Sequence, residues 1–169
     1  MTYRIAQIES DGELAQIGKL FRQYADWLQR DHNISLEFQN FEAELAGLPG
    51  TYVPPNGALL LASDDVGGAV GCIGLRPYDD TSAEIKRLYV APEARGTGLG
   101  RTLVERILDV ARSAGYQRAV LDTGPFMQSA QALYRSLNFV EIPAYYQNPV
   151  PCCIFMEITL EQRADLTAE

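Results

Sequence analysis

The chain has 169 residues, a hydrophobic content of 47% and a formal net charge of −8. That length suits one domain with a sizeable apolar core, so we expect a single domain over residues 1–169. The acidic balance disfavours a nucleic-acid-binding surface, and we expect no nucleic-acid partner.

Leader and membrane signals are weak. The first ten residues, MTYRIAQIES, lack the apolar core of a signal peptide, and no stretch reaches about 18 apolar residues, the length of a membrane span. The chain has three cysteines, Cys72, Cys152 and Cys153. Their odd number and the adjacency of two of them disfavour a disulfide framework. We therefore expect a cytoplasmic protein without a membrane partner. His32 is the single histidine, with no Cys near it in sequence, and we expect no metal site.

The spacing of apolar residues predicts a series of strands and helices. In chain order these are a strand at 3–8, a helix that begins after Ser10, a short helix around 41–48, a loop at 47–57, strands at 58–62, 66–75 and 82–90, a helix from Leu99 to near Gly115, a strand at 118–122, a helix at 129–137, and strands at 140–142 and 152–160. Ser10 and Glu13 have the spacing of a capping box. A tight turn at 63–65 joins two of the strands. We predict an α/β (α+β) domain with a mixed sheet.

Residues 95–100 read RGTGLG, between a predicted strand and a predicted helix. Three glycines let a ligand approach the backbone closely. The helix that follows offers unpaired N–H groups and the positive end of its dipole, and both attract phosphate. Arg95 and Arg101 flank the loop, and with Lys86 and Arg87 they form a predicted positive patch on an acidic protein. The segment therefore predicts a phosphate-binding loop.

Two common phosphate-binding motifs do not fit this loop. A G-x-G-x-x-G motif would need a glycine where Arg101 stands, and a P-loop would need a lysine after Gly100. The pattern Arg95-x-x-Gly98-x-Gly100, preceded by a strand, instead resembles the coenzyme A pyrophosphate loop of the GCN5-related N-acetyltransferase (GNAT) family. The match extends from about residue 84 to residue 139, with the flanking elements in that family's order.

A second part of the resemblance is QALYRSLNF, residues 131–139, where Leu133, Tyr134 and Phe139 match a helix of the family. Asn138 replaces the usual glycine, and Asn is among the few residues that tolerate a left-handed helix terminus. Met127 stands where the family has an asparagine that contacts the pantetheine arm.

The resemblance implies acetyl-CoA as cosubstrate, without a metal. It also implies a mostly antiparallel sheet of about six or seven strands, flanked by about four helices and splayed at the acetyl-CoA site. Either Gln128 or Ser129 can supply the contact that Met127 lacks. The implied cofactor-binding residues are Leu88, Tyr89, Val90, Arg95, Gly96, Thr97, Gly98, Leu99, Gly100, Arg101, Gln128 and Ser129.

Acetyl transfer needs a neutral amine, yet an alkylammonium with a pKa near 10 is protonated at pH 7. A base must therefore accept a proton, and Glu84 lies where the family's histone acetyltransferases place their general-base glutamate. The resemblance also implies Tyr134 as the acid for the departing thiolate and the backbone N–H of Leu88 as the oxyanion donor. Two other interpretations stay open: Glu84 as a strand charge paired with Lys86 or Arg87, and Tyr134 as a packing residue.

The acceptor pocket is less defined. Trp27, Tyr52, Tyr145 and Tyr146 can line it as aromatic walls, or they can pack in the core and loops. The predicted reaction moves an acetyl group from acetyl-CoA to a primary amine of a small molecule, amino acid or peptide, by direct attack in a ternary complex. The alternative is a non-catalytic acyl-CoA-binding sensor, which would be free to lose its catalytic side chains. Monomer and homodimer both stay open.

Overall fold

The structure is a computed structural model that describes residues 2–161, and within them one sheet of seven strands has the order β1-β2-β3-β4-β5-β7-β6. The strands are β1 (Arg4–Gln7), β2 (Ala58–Ser63), β3 (Ala69–Pro77), β4 (Ser82–Val90), β5 (Arg118–Thr123), β6 (Val140–Ile142) and β7 (Ile154–Thr159). The helices are α1 (Asp11–His32), α2 (Phe41–Ala46), α3 (Leu99–Ser113) and α4 (Gln128–Ser136), with 3₁₀ turns at Leu36–Gln39 and Pro92–Ala94. All neighbouring strands are antiparallel except β4 and β5. The predicted mixed, mostly antiparallel sheet with four helices is confirmed.

The helix signals in the sequence are also confirmed. Ser10 accepts a hydrogen bond from the Glu13 N–H while the Glu13 carboxylate accepts one from the Ser10 N–H, so the capping box forms. Asn138 adopts a left-handed φ of 74° after α4. The buried stripe of α3 consists of Leu99, Leu103, Val104, Ile107, Leu108 and Ala111. Each large apolar side chain buried in this way contributes about 1.5–3 kcal/mol, so burial rather than helix propensity fixes α3 on the sheet.

The turn between β2 and β3 is longer than predicted. β3 begins at Ala69 rather than at residue 66, and Val66 is 92% exposed. The Asp64 carboxylate accepts hydrogen bonds from the backbone N–H groups of Val66 (3.1 Å) and Gly68 (2.7 Å). These local partners hold the segment as a turn, which is a common role of Asp.

Both faces of the sheet are covered by helices. On one face, α3 and part of α4 pack against side chains such as Ile85 and Leu121. On the other face, α1 and α2 pack against side chains such as Leu59 and Tyr89. Within residues 2–161, no helix is both long and apolar enough to cross a bilayer.

The two parallel strands at the centre of the sheet diverge. Pairing between β4 and β5 runs from Ser82 opposite Arg118 to Glu84 opposite Val120. β4 continues to Val90, but within the described chain its later residues have no further partner on β5. A gap therefore opens between the two strands.

A bulge on the β3 side of β4 accompanies this gap. Cys72 pairs with Tyr89 and Gly74 with Lys86, so β4 has one residue more than β3 over this stretch. Arg87 lies in it with a φ of 60°, a left-handed conformation that is uncommon for a residue with a side chain. A bulge bends its strand and increases the local twist, which accounts for the divergence of β4 from β5.

Candidate active site

The gap between β4 and β5 holds two adjoining spaces. One is a partly enclosed cavity of about 100 Å³, here called the inner cavity. The other is an open groove of about 670 Å³, here called the outer groove. The residues that line both are Tyr24, Leu88, Phe126, Met127 and Ala130. The two spaces therefore meet beside the bulged part of β4.

The outer groove follows the end of β4 and the N-terminus of α3. Predicted cofactor-binding residues in its lining are Leu88, Tyr89, Val90, Arg95, Gly96, Gly98, Leu99, Gly100, Gln128 and Ser129. Thr97 and Arg101 lie beside the groove without lining it. The Thr97 hydroxyl donates to the Ala94 carbonyl (2.7 Å), and Arg101 contacts Ser136 (2.6 Å).

The loop before α3 has the features of an anion site. Gly96 and Gly98 adopt φ values of 75° and 86°, and a Cβ atom on either would meet no atom within 4 Å. Gly98 caps α3, and no side chain hydrogen-bonds the first turn of the helix as a cap. The N–H groups of that turn are therefore available to a ligand, and the helix dipole favours negative charge there.

The positive patch predicted beside the loop is wrong for two of its members. Lys86 and Arg87 are only 6% and 7% exposed. The Lys86 ammonium lies 3.1 Å from the Asp122 carboxylate, and the Arg87 guanidinium lies 2.6 Å from Glu44. These cations are neutralised inside the protein because an unpaired buried charge is costly. Positive charge near the loop comes from the two arginines that flank it.

Asp122 is central to the polar floor of the inner cavity, and it is not among the site residues predicted from the sequence. Its carboxylate accepts hydrogen bonds from Lys86, from the Asn148 amide (2.8 Å) and from the Tyr146 hydroxyl. Burial alone would raise the pKa of Asp122, but Lys86 and these hydrogen bonds outweigh it and lower the pKa below its usual range. The sequence signal for it was a carboxylate directly after the apolar run Ala119–Leu121 of a predicted strand.

Glu84 is buried beside this floor but does not line the inner cavity. Its carboxylate accepts hydrogen bonds from Arg76 (2.9 Å) and from the Tyr145 hydroxyl (2.7 Å). The Lys86 ammonium lies 3.8 Å away and does line the cavity, so it stands between Glu84 and Asp122. Glu84 is thus paired with Arg76 at 2.8 Å and with Lys86 at 3.8 Å, so the Lys86 pair of the strand-charge interpretation is present, whereas Arg87 pairs with Glu44 instead.

Tyr134 lines the inner cavity, with its ring against Phe139 at 5.4 Å. No group within residues 2–161 hydrogen-bonds its hydroxyl, and no unpaired side-chain oxygen of these residues is fully buried. The hydroxyl is therefore accessible from the cavity. Burial raises the pKa of Tyr134 above its ordinary value of 10, so the group is protonated at neutral pH.

The four predicted acceptor-binding aromatics are not brought together. Trp27 lines the outer groove rather than the inner cavity. Tyr52 is 2% exposed and lies in the core, where its hydroxyl donates to Glu44. Tyr145 and Tyr146 lie outside the inner cavity, packed on each other at 5.5 Å and donating to the buried carboxylates. On the side of α1 and the first 3₁₀ turn, the wall instead consists mainly of apolar side chains, namely Tyr24, Leu28, Ile34, Leu36 and Phe38.

Comparison with known proteins identifies the family of this site. The model of the acetyltransferase (GNAT) family matches residues 18–139. The chain belongs to this family. An uncharacterized N-acetyltransferase of Schizosaccharomyces pombe is 38% identical over 138 residues, which cover 81% of this chain and 84% of that protein. The family resemblance predicted from the sequence is therefore confirmed.

Solved GNAT structures share the fold. A GNAT-family acetyltransferase from Staphylococcus aureus superposes with a TM-score of 0.77 at 19% identity, covering 95% of this chain and 100% of that one. The PaiA N-acetyltransferase from Thermoplasma acidophilum, in complex with coenzyme A, gives a TM-score of 0.73 at 19% identity, with 94% and 99% covered.

Family membership makes the chain an acetyltransferase of the GNAT type and favours the enzyme over the non-catalytic sensor. In the part of the chain that the structure describes, no three His, Cys, Asp or Glu side chains are grouped closely enough to hold a metal ion.

Proposed function

We propose that the protein transfers the acetyl group of acetyl-CoA to a primary amine of a small molecule, amino acid or peptide, by direct attack in a ternary complex. The observation that carries this proposal is the junction of the outer groove with the inner cavity at Leu88. A cofactor in the groove and an amine in the cavity would meet there.

Three free cysteines support a cytoplasmic location.

The outer groove suits coenzyme A. The pyrophosphate would bind the uncapped N–H groups at the start of α3, where Gly96 and Gly98 leave the backbone open. The pantetheine arm would lie along the part of β4 that has no partner on β5. The backbone there can form hydrogen bonds with the amide groups of the arm, as it would with a neighbouring strand. The start of α4, with Gln128 and Ser129, forms the opposite wall. The PaiA relative, solved with coenzyme A, has the same fold.

In this proposal Glu84 accepts the proton of the amine. Its carboxylate does not line the inner cavity, so the proton would pass through a water rather than directly. The amine nitrogen forms a bond to the thioester carbon, and the bond from that carbon to sulfur breaks. Burial of Glu84 inside a fixed network of Arg76 and Tyr145 holds the carboxylate in one orientation.

Tyr134 and Leu88 would stabilise the other two charges of the reaction, which form on the departing sulfur and on the carbonyl oxygen. The Leu88 N–H would bond the oxygen that becomes negative during attack. The Tyr134 hydroxyl, accessible from the cavity and without a protein partner in residues 2–161, would donate its proton to the departing sulfur. Because its pKa is raised, full proton transfer is less favourable than from an ordinary tyrosine, which limits the size of its contribution.

An amine-panel assay tests this proposal. Purified protein is incubated with acetyl-CoA and each of a set of small amines, amino acids and short peptides, while the release of free thiol is followed. We expect thiol release above the rate of amine-free hydrolysis with at least one class, together with the N-acetylated product. Acetyl-CoA binding without acetylation of any amine would contradict the enzymatic proposal.

A further inference from the structure

The reacting thioester would lie where the outer groove meets the inner cavity, so the residues that line both spaces lie beside it. These residues are Tyr24, Leu88, Phe126, Met127 and Ala130. Among them, Tyr24 alone carries a side-chain O–H or N–H group. Tyr134, by comparison, lines the inner cavity but not the groove.

Aromatic contacts hold the Tyr24 side chain at this junction. It lies on α1, with its ring centroid 6.2 Å from that of Trp27 and 6.1 Å from that of Tyr89 on β4. No group of residues 2–161 hydrogen-bonds the Tyr24 hydroxyl, yet no unpaired side-chain oxygen in that range is fully buried. The hydroxyl is therefore a donor without a protein acceptor, accessible from the site.

The gap between β4 and β5 explains why a residue of α1 can reach the reaction centre. Tyr24 comes from the face covered by α1, whereas Tyr134 packs with the face covered by α3. Where β4 and β5 no longer pair, side chains from both faces line one cavity. Burial raises the pKa of Tyr24 to about 12, so the hydroxyl is a neutral donor at physiological pH.

We propose that Tyr24 is a catalytic residue that donates a hydrogen bond to the carbonyl oxygen of the acetyl thioester, opposite the backbone N–H of Leu88. This inference rests on the proposed function. As the amine nitrogen bonds to the carbonyl carbon, the electron pair of the C=O bond moves onto oxygen, and Tyr24 stabilises that charge without losing its proton. The carbon–sulfur bond then breaks as the pair returns.

Infrared spectroscopy of bound acetyl-CoA, labelled with ¹³C at the acetyl carbonyl, tests the contact without turnover. A hydrogen bond lowers the carbonyl stretching frequency, so we expect the band to move to higher frequency in Tyr24→Phe. Tyr134→Phe should leave it in place, since that hydroxyl is assigned to the sulfur. With the best amine of the panel, Tyr24→Phe should lower kcat by about 10- to 10²-fold, while the dissociation constant of acetyl-CoA changes little.

Tyr116→Phe is the matched control, because that hydroxyl donates to the Asn56 carbonyl (2.6 Å) away from the site. It should change neither the band nor kcat. A carbonyl band that Tyr24→Phe leaves unmoved, with acetyl-CoA still bound, would overturn the assignment of Tyr24 alone. A wild-type kcat in Tyr24→Phe, with chemistry limiting the rate, would do the same. Failure of the wild-type protein to bind acetyl-CoA would overturn the proposed function and this inference together.

Discussion

The outer groove and the inner cavity differ in the sequence separation of the residues that line them. Most of the groove comes from residues 88–100 and the start of α4. The inner cavity draws on α1, the first 3₁₀ turn, β4, β5, α4 and the loop before β7. A contiguous segment takes its shape from local rules such as glycine conformation and helix ends. A cavity lined by residues that are far apart in sequence depends on long-range contacts, so the groove and the cavity should respond differently to substitution.

The largest effect is expected from the ion pair that spans the gap. Asp122→Asn removes the charge that faces Lys86 across the diverging strands, leaving a buried ammonium with Glu84 at 3.8 Å. We expect a loss of about 3 kcal/mol in the free energy of unfolding, at the low end for a broken buried pair. Urea titration measures it. Asp109→Asn, which breaks an exposed pair with Arg112, should cost less than about 1 kcal/mol.

The same pair predicts a pH dependence with a definite sign. Because the pKa of Asp122 is lowered in the folded state, its ionised form stabilises the fold. That contribution is complete above the unfolded pKa of about 4 and is lost as the pH falls through the folded value. The difference between wild type and Asp122→Asn should therefore shrink between pH 7 and pH 3. A constant difference would mean that the charge of Asp122 is not what stabilises the gap.

The next effect concerns chemistry in the inner cavity. Glu84→Gln keeps the shape of the side chain and removes the base, so kcat at pH 7 should fall by about 10²-fold or more while acetyl-CoA binding survives. The loss should diminish as the pH approaches the pKa of the amine, because more of the amine is then neutral. Steady-state kinetics against pH measure both.

Arg76→Gln separates this role from a structural one, because it breaks the main ion pair of Glu84 and keeps the carboxylate. We expect it to retain far more activity than Glu84→Gln. Equal losses in the two variants would point to the ion pair, and a full-rate Glu84→Gln enzyme would assign the base elsewhere.

The contrast between the two regions also explains how far the sequence could predict this molecule. The glycine loop, the α3 stripe, the capping box of α1 and the left-handed Asn138 depend on neighbours within a few residues. Periodicity and turn chemistry therefore predicted them. The turn at residues 64–68 was missed because Asp64 supplies hydrogen bonds that periodicity does not register.

The inner cavity was harder to predict because one residue changes the direction of β4. Strict alternation places Arg87 on the same face as Ile85, toward α3. The bulge instead directs Arg87 toward α2 and the first 3₁₀ turn, where Glu44 and Gln39 accept hydrogen bonds from its guanidinium. No local pattern joins residues 43 apart, so neither this pair nor the approach of Tyr24 to β4 could be predicted from spacing.

A smaller effect is expected from the acid side of the reaction. Tyr134→Phe should lower kcat by about 10- to 10²-fold, because a thiolate leaves tolerably without a proton donor. Stability should change little, since the lost hydroxyl has no hydrogen-bond partner among residues 2–161. Tyr116→Phe should do the reverse, costing about 1 kcal/mol of stability for its bond to Asn56 and leaving kcat intact. An unchanged kcat in Tyr134→Phe, where chemistry limits the rate, would make Tyr134 a packing residue.

The smallest expected effect belongs to the outer groove. Gly98→Val places a branched side chain in the open space beside the start of α3, where the pyrophosphate of coenzyme A would approach the backbone. The dissociation constant of coenzyme A should rise at least tenfold, or about 1.4 kcal/mol, as measured by calorimetry. Gly98 also has a φ of 86°, so the variant carries backbone strain of about 1–2 kcal/mol that has nothing to do with the ligand.

Gly115→Val is the control for that strain. Gly115 follows the other end of α3 with a φ of 87°, and a Cβ there also meets no atom within 4 Å. Both variants should lose a similar amount of stability, but only Gly98→Val should weaken coenzyme A binding. Equal weakening in both would mean that a damaged α3, rather than a blocked loop, lowers affinity. Wild-type affinity in a folded Gly98→Val protein would remove the loop from the binding site and place the pyrophosphate elsewhere.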